Sequence, residues 1–277
     1  MTRILAFTAA CLAMTAATTY QSEIDEWRRA RVERLRAEGG WLSVAGLFWL
    51  RDGANRFGTD PANDIVLPDG PTQAGVFELR NGKVNATIDG KSRPIAPDSA
   101  DVAKVGRLNL FVIKRGDRYG IRLKDPESEY RRNYHGIDYF PANEAWRITA
   151  QWVASPRKIP ILNIIGMTED SECPGYAVFS IAGKEYRLAP IIEQPGDQQL
   201  FYIFRDLTTG KETYPAGRFF YSEMPKDGRV VLDFNKAYNP PCAFTPFATC
   251  PLPPKENHLQ LRVEAGEKTY HYAAAHP

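Results

Sequence analysis

The chain has 277 residues, enough for one large domain or two smaller ones, and its 43% hydrophobic and 12% aromatic content can fill packed cores. Lys and Arg number 35 against 33 Asp and Glu, a formal net charge of +2, so no bulk field favours a polyanion and nucleic acid is not an expected partner. The 21 Gly and 21 Pro imply many turns between short elements, and the composition as a whole argues against disorder and coiled coil.

Met1-Thr2-Arg3 carries one positive charge, and the run from Ile4 to Thr19 carries none. With small residues at Thr15-Ala16-Ala17 this reads as a signal peptide over 1–18, and the expectation is export, periplasmic or secreted. The run is too short and too poor in large apolar residues for a transmembrane segment. A frayed N-terminal segment is the bland alternative. Thr8-Ala9-Ala10-Cys11 loosely resembles a lipoprotein cleavage box, with Thr8 where Leu is usual, which leaves a lipid anchor at Cys11 open.

Ser22 is a suitable N-cap, followed by acidic residues in the first turn; Ile24, Trp27 and Leu35 fall on one face, Arg31 interrupts it, and Gly39-Gly40 ends the pattern. One amphipathic helix over 22–38 is expected. Trp41 to Leu50 is a dense apolar run and is expected to be buried. Hairpins are expected at 76–88 around Asn81-Gly82, at 107–124 around Gly116-Asp117, and at 176–188 through Ala182-Gly183. Arg115-Gly116-Asp117 needs no adhesion role, because a turn with a flexible Gly explains it. Trp146, Ile148, Ala150 and Trp152 alternate with Arg147, Thr149 and Gln151, the period-two pattern of a half-buried strand. Further strands are expected near 200–204, 218–221, 229–234 and 259–263. The fold class is therefore mainly β, an antiparallel sandwich or barrel with one N-terminal helix. It divides into an N-terminal β subdomain at 41–125 and a C-terminal β domain at 126–277, the two meeting in the polar, turn-rich stretch from Asp125 to Asn143.

The chain contains no Gly-x-Ser-x-Gly elbow, phosphate loop, His-Glu-x-x-His or paired Cys-x-x-Cys. Its histidines are His135, His258, His271 and His276, too few and too scattered for a His-rich metal site, so neither metal nor cofactor is expected. The distinctive stretch is 233–257, where six prolines lie between Asn239 and Pro254. Such a backbone is stiff and poor in donors, so it is neither helix nor central strand. Asp233, Asn235 and Asn239 suit a structural role, replacing missing backbone bonds in a clamped loop. The same carboxylate and amides could instead line a site beside Cys242, with Asp233 as an orienting or basic partner. Cys242 and Cys250, eight positions apart, are expected to form a short disulfide closing the loop, with a reactive or ligating thiol and inert buried thiols as the alternatives. Cys173 is left over. Upstream, Asp206 to Thr213 reads as a turn, yet Arg147, Arg205, Tyr214 and Arg218 would suit an anionic ligand if they shared one face.

The segments GGWLSVAGLFWL (39–50), NRFGTDPANDIVLP (55–68), GIDYFPANEAWRITAQW (136–152), FRDLTTGKETYPAGRFF (204–220) and VVLDFNKAYNPPCAFTPFATCPLPPKENHL (230–259) closely resemble the bacterial family of unknown function DUF1684. The resemblance implies no activity or cofactor. It directs interest to Arg147, Arg205, Asp206, Thr213, Tyr214, Gly217, Arg218, Asp233, Asn235, Tyr238, Asn239, Cys242, Cys250 and Asn257. Within it, Gly53 to Pro68 looks like the opening of a forkhead-associated domain, but the Ser-Arg and His used by such domains are missing, so phosphopeptide binding is not implied. The resulting expectation is an exported β protein that binds a small or oligomeric envelope ligand at Arg147, Arg205, Asp206, Tyr214, Arg218, Asn235, Tyr238, Asn239 and Asn257. A thiol- or carboxylate-dependent enzyme using Cys242 and Asp233, and a purely structural envelope interaction module, are the alternatives.

Overall fold

The computed structural model describes residues 2–271, with side chains described from Thr19 onward. The leader expected over 1–18, Cys11 and His276 lie outside the described side chains. The chain is mainly β in antiparallel sheets after one N-terminal helix, α1 (Thr2–Arg36), and no sheet closes into a barrel. Among the described residues no helix is long and apolar enough to cross a membrane. The chain forms two compact units, one of Arg34–Tyr134 with Phe244–Ala248, the other of Met1–Glu33, His135–Ala243 and Thr249–Pro277.

The N-terminal unit begins its sheets with β1 (Val44–Trp49), which pairs with β9 (Arg118–Lys124), then β8 (Leu108–Arg115) and β7 (Val102–Val105). The second sheet has the order β3 (Ile65–Val66), β2 (Gly53–Gly58), β4 (Gly75–Arg80), β5 (Lys83–Ile88), β6 (Lys91–Ile95), with β2 and β3 parallel. The alternation read in the sequence places Phe57, Phe77, Val84 and Ala86 from one sheet and Leu108, Leu110, Val112 and Ile121 from the other in a single core. Full burial of each large side chain contributes roughly 1.5–3 kcal/mol. Asn81 and Gly82 take positive φ, 51° and 71°, so the β4–β5 turn needs residues that tolerate the left-handed region. A short helix, α2 (Glu129–Arg132), follows β9 and is capped by Ser128, whose hydroxyl accepts from the Tyr130 N–H at 3.3 Å.

The C-terminal unit carries a sheet ordered β12 (Lys184–Leu188), β11 (Thr168–Ile181), β10 (Arg147–Leu162), β15 (Arg229–Asp233), and a two-stranded sheet of β13 (Gln199–Phe204) and β14 (Arg218–Glu223). β15 covers β10 only from Arg147 to Gln151, so Pro156 and Pro160 fall where β10 has one free edge and a missing donor costs no ladder bond. Ala150, Ala177, Leu188, Tyr202, Phe204, Phe220, Leu232 and Phe234 fill this unit's core. The N-terminal helix buries Ile24 here, and Arg31, which interrupts its apolar face in sequence, is buried as well at 8% exposure. The hydrophobic face therefore holds a charge, and a countercharge is required beside it.

Candidate functional site

The candidate site residues lie in the C-terminal unit, and Asp206, Arg218, Asp233, Asn235, Asn239 and Asn257 turn their side chains inward. Arg218 is 1% exposed. One of its guanidinium nitrogens donates to the Ala265 carbonyl, while Nη2 donates to the Val263 carbonyl at 3.0 Å and to Asp206 Oδ1 at 3.3 Å. Asp206 in turn accepts from the Val263 N–H at 2.8 Å and from the Thr208 hydroxyl at 2.9 Å, and that hydroxyl meets the Thr213 hydroxyl at 2.9 Å. Burial pulls the Arg218 guanidinium down from its usual range and Asp206 opposes that pull. The turn from Asp206 to Thr213 is thus an anchored Asx turn built around a buried ion pair. Gly217, with φ of 90°, completes it, because a Cβ there would lie 2.5 Å from the Phe204 carbonyl oxygen.

A second buried pair joins Arg31 to Glu267, 236 positions apart in the chain. Arg31 Nε donates to Glu267 Oε1 at 3.0 Å and its Nη2 to the Asn239 carbonyl at 2.9 Å, while the guanidinium sits 4.5 Å from the centroid of the Tyr238 ring. Glu267 Oε2 accepts the Asn239 N–H at 2.6 Å, and Asn239 Nδ2 donates to the Lys268 carbonyl at 2.7 Å. Asp233 and Asn235 form a third cluster. Asp233 Oδ1 accepts from the Tyr20 hydroxyl at 2.8 Å and from the Asn235 N–H at 3.2 Å, and Asn235 clasps the Asn143 backbone through both amide atoms, at 2.8 and 3.0 Å. Asn257 joins Ala189 and Ile203 through three bonds of 2.8–2.9 Å, doing for two strands what missing backbone partners would otherwise do. Among the described residues, Arg218 Nε, Asp233 Oδ2 and Asn239 Oδ1 are the buried atoms of these networks that find no hydrogen-bond partner.

The anion fork expected from Arg147, Arg205 and Arg218 is not assembled. Arg147 is exposed, bonded to Glu23 at 3.3 Å and laid over the Tyr20 ring; Arg205 is exposed; Arg218 is enclosed with its own carboxylate. Desolvating a bare Arg218 would be costly, which is why its charge is met inside the fold rather than offered to a ligand. Asp233 is likewise taken up by Tyr20 and Asn235 and lies beside Lys236, whereas Cys242 meets Cys250 and Tyr214. The disulfide expected between Cys242 and Cys250 is not formed: Cys173, Cys242 and Cys250 carry unbridged thiols, and the Cys242 N–H donates to Cys250 Sγ at 3.2 Å. What the structure does bring together is Tyr214, Cys242 and Cys250, with the Tyr214 hydroxyl donating to the Cys242 carbonyl at 2.9 Å.

The N-terminal unit holds a groove of about 480 Å³ that no sequence motif marked. Phe48, Leu67, Leu123 and Phe247 give it an apolar floor; Arg107, Asp125, Glu127, Glu129 and Arg132 supply charge, and Tyr130 an aromatic ring. Arg107 Nε donates to Asp125 Oδ1 at 2.8 Å, and a second nitrogen of the same guanidinium is bonded to Asp69. Burial is the largest single influence on Asp125 and opposes its charge, but the hydrogen bonds from Arg107 and from the Glu127 N–H, with the charge of Arg107, together outweigh it and hold this carboxyl below its usual range. Arg107 is thereby neutralised twice over, and Glu127 and Glu129 remain as exposed carboxylates on the rim. The one clue in the sequence is the polar, turn-rich stretch beginning at Asp125. Phe247 reaches the groove from a distant part of the chain, where Thr245 Oγ1 donates to the Val44 carbonyl at 3.0 Å and Tyr130 meets the Phe247 ring edge-on at 6.2 Å. Among the described residues, no three His, Cys, Asp or Glu side chains are grouped as a metal would require.

Open antiparallel sheets, a clamped Pro-rich loop and saturated ion pairs define a β protein of a recognisable type. The chain belongs to the DUF1684 family, a protein family of unknown function, whose pattern matches residues 132–268. It is also similar to an uncharacterised protein of Haloarcula marismortui, solved by NMR in solution, at 31% identity over 50% of this chain and 79% of that one, with a TM-score of 0.42. No curated protein matches.

Proposed function

We propose that this chain is an exported binding protein that takes a small envelope ligand in the groove of its N-terminal unit. The ligand class that fits has an aromatic or aliphatic body and a cationic or zwitterionic end. The observation that carries the reading is the groove itself: its volume falls within the range of small-molecule sites, and it joins an apolar, aromatic floor to a rim where the exposed Glu127 and Glu129 outnumber Arg132, Arg107 being paired with Asp125 and Asp69. An amine placed over Tyr130, Phe48 or Phe247 would gain cation–π attraction as well as the field of Glu127 and Glu129. Export rests on the leader-like sequence over 1–18.

Calorimetric titration with phenethylamine and with 3-phenylpropionate separates the possibilities. The amine is expected to bind and the carboxylate to bind several-fold more weakly, with the difference abolished in a Glu127→Gln, Glu129→Gln double variant whose exposed sites leave the fold intact. Equal binding of the two probes, or an amine affinity indifferent to the double substitution, overturns the groove assignment. N-terminal sequencing of the protein recovered from its own cells tests export, with a start near residue 19 expected; a cytosolic, uncleaved chain contradicts it.

A further inference from the structure

We propose that Cys242 and Cys250 form a reversible dithiol–disulfide site, in which Cys242 is the attacking sulfur and Cys250 the resolving one. Three features carry it. First, the pair is preset: the Cys242 N–H donates to Cys250 Sγ at 3.2 Å, and Pro240-Pro241 before the pair and Pro251 after it restrict the backbone from swinging the sulfurs apart. Second, access is unequal: Cys242 is half-buried, whereas Cys250 is 3% exposed, so a reagent from solvent meets Cys242 first. Third, the surroundings of Cys242 favour its thiolate. Its contact with the Cys250 thiol is the largest influence, burial works against it, and Tyr214 adds a further hydrogen bond, with the balance below the usual thiol range. Cys173 is the internal contrast: it is 1% exposed, its thiol donates to the Gly175 carbonyl at 3.1 Å, and burial pushes it up.

The reaction is thiol–disulfide exchange with a small-molecule disulfide. The Cys242 thiolate attacks one sulfur of the reagent, the S–S bond breaks, and one thiolate leaves and takes up a proton, giving a mixed disulfide on Cys242. Cys250 then gives its proton to solvent, its sulfur attacks Cys242, and the second thiolate leaves. One dithiol and one disulfide become an internal disulfide and two free thiols, so atoms and electrons balance. The ring so formed encloses Ala243–Thr249, the segment that carries Phe247 to the groove floor.

The test treats the reduced full chain with oxidised glutathione and maps the products by mass spectrometry. The wild type is expected to lose two hydrogens in a peptide joining Cys242 to Cys250 while Cys173 stays free. Cys250→Ser is expected to accumulate a glutathione adduct on Cys242, and Cys242→Ser to react at least about tenfold more slowly. A wild type that stops at the glutathione adduct, or a Cys242→Ser variant that reacts as fast as Cys250→Ser, overturns the assignment. Pulse alkylation of the wild type with iodoacetamide needs no variant: Cys242 is expected to be labelled at least about tenfold faster than Cys173, and equal rates overturn the proposal.

Discussion

The charged side chains of the C-terminal unit and those of the N-terminal groove are of the same types and do opposite work. Arg218 with Asp206, and Arg31 with Glu267, are pairs withdrawn from water and closed on each other and on backbone carbonyls. Glu127, Glu129 and Arg132 stand exposed around an apolar floor. A residue type that suits a ligand site suits a buried clamp equally well, and what separates the two is whether the fold has already supplied the partner.

Breaking the clamp has the largest expected effect. Arg218→Ala leaves Asp206 buried without its countercharge, and urea unfolding is expected to show a loss of about 3–5 kcal/mol with no change in amine binding by the folded fraction. Asn257→Ala strands the Ala189 N–H and the Ala189 and Ile203 carbonyls, for a loss of about 2–3 kcal/mol in the same measurement. The groove side is sharpened by acid. Asp125 has a folded-state pKa depressed below its ordinary value of 3.8, so its contribution is present above that pH and is lost as pH falls through the folded-state value. Thermal melts of wild type and Asp125→Asn are therefore expected to differ at neutral pH and to converge at the acid end. Arg147→Ala removes an exposed pair with Glu23 and is expected to cost no more than about 1 kcal/mol. A loss for Arg147→Ala as large as that for Arg218→Ala would erase the contrast between the two regions.

The β architecture was legible because its signals are local. Period-two alternation marked β10, and Asn81-Gly82 and Ala182-Gly183 marked their hairpins through positive φ. The structural reading of Asp233, Asn235 and Asn239 was also within reach, since a proline-rich loop needs side chains to bond its backbone. The groove was not legible. Its parts come from Phe48, Arg107, Asp125 to Arg132 and Phe247, separated by up to two hundred positions, and none carries a motif. The inward turn of Arg218 was equally hidden, because Val263 and Ala265, which supply its carbonyls, lie more than forty residues downstream, where the strand expected over 259–263 does not form and the backbone groups turn to Arg218 and Asp206 instead. Arg31 showed as a flaw in an apolar face, and Glu267, its partner, gave no sign in sequence at all.

The proposed ligand site is the groove of the N-terminal unit rather than the Arg and Asn side chains of the C-terminal unit. Amide chemical-shift mapping by NMR during a phenethylamine titration tests it most directly. The shifts are expected to cluster on Phe48, Leu123, Tyr130, Arg132 and Phe247, with Arg147, Arg205, Asn235 and Asn257 unmoved; shifts centred on Arg147, Arg205 and Tyr214 instead would contradict it.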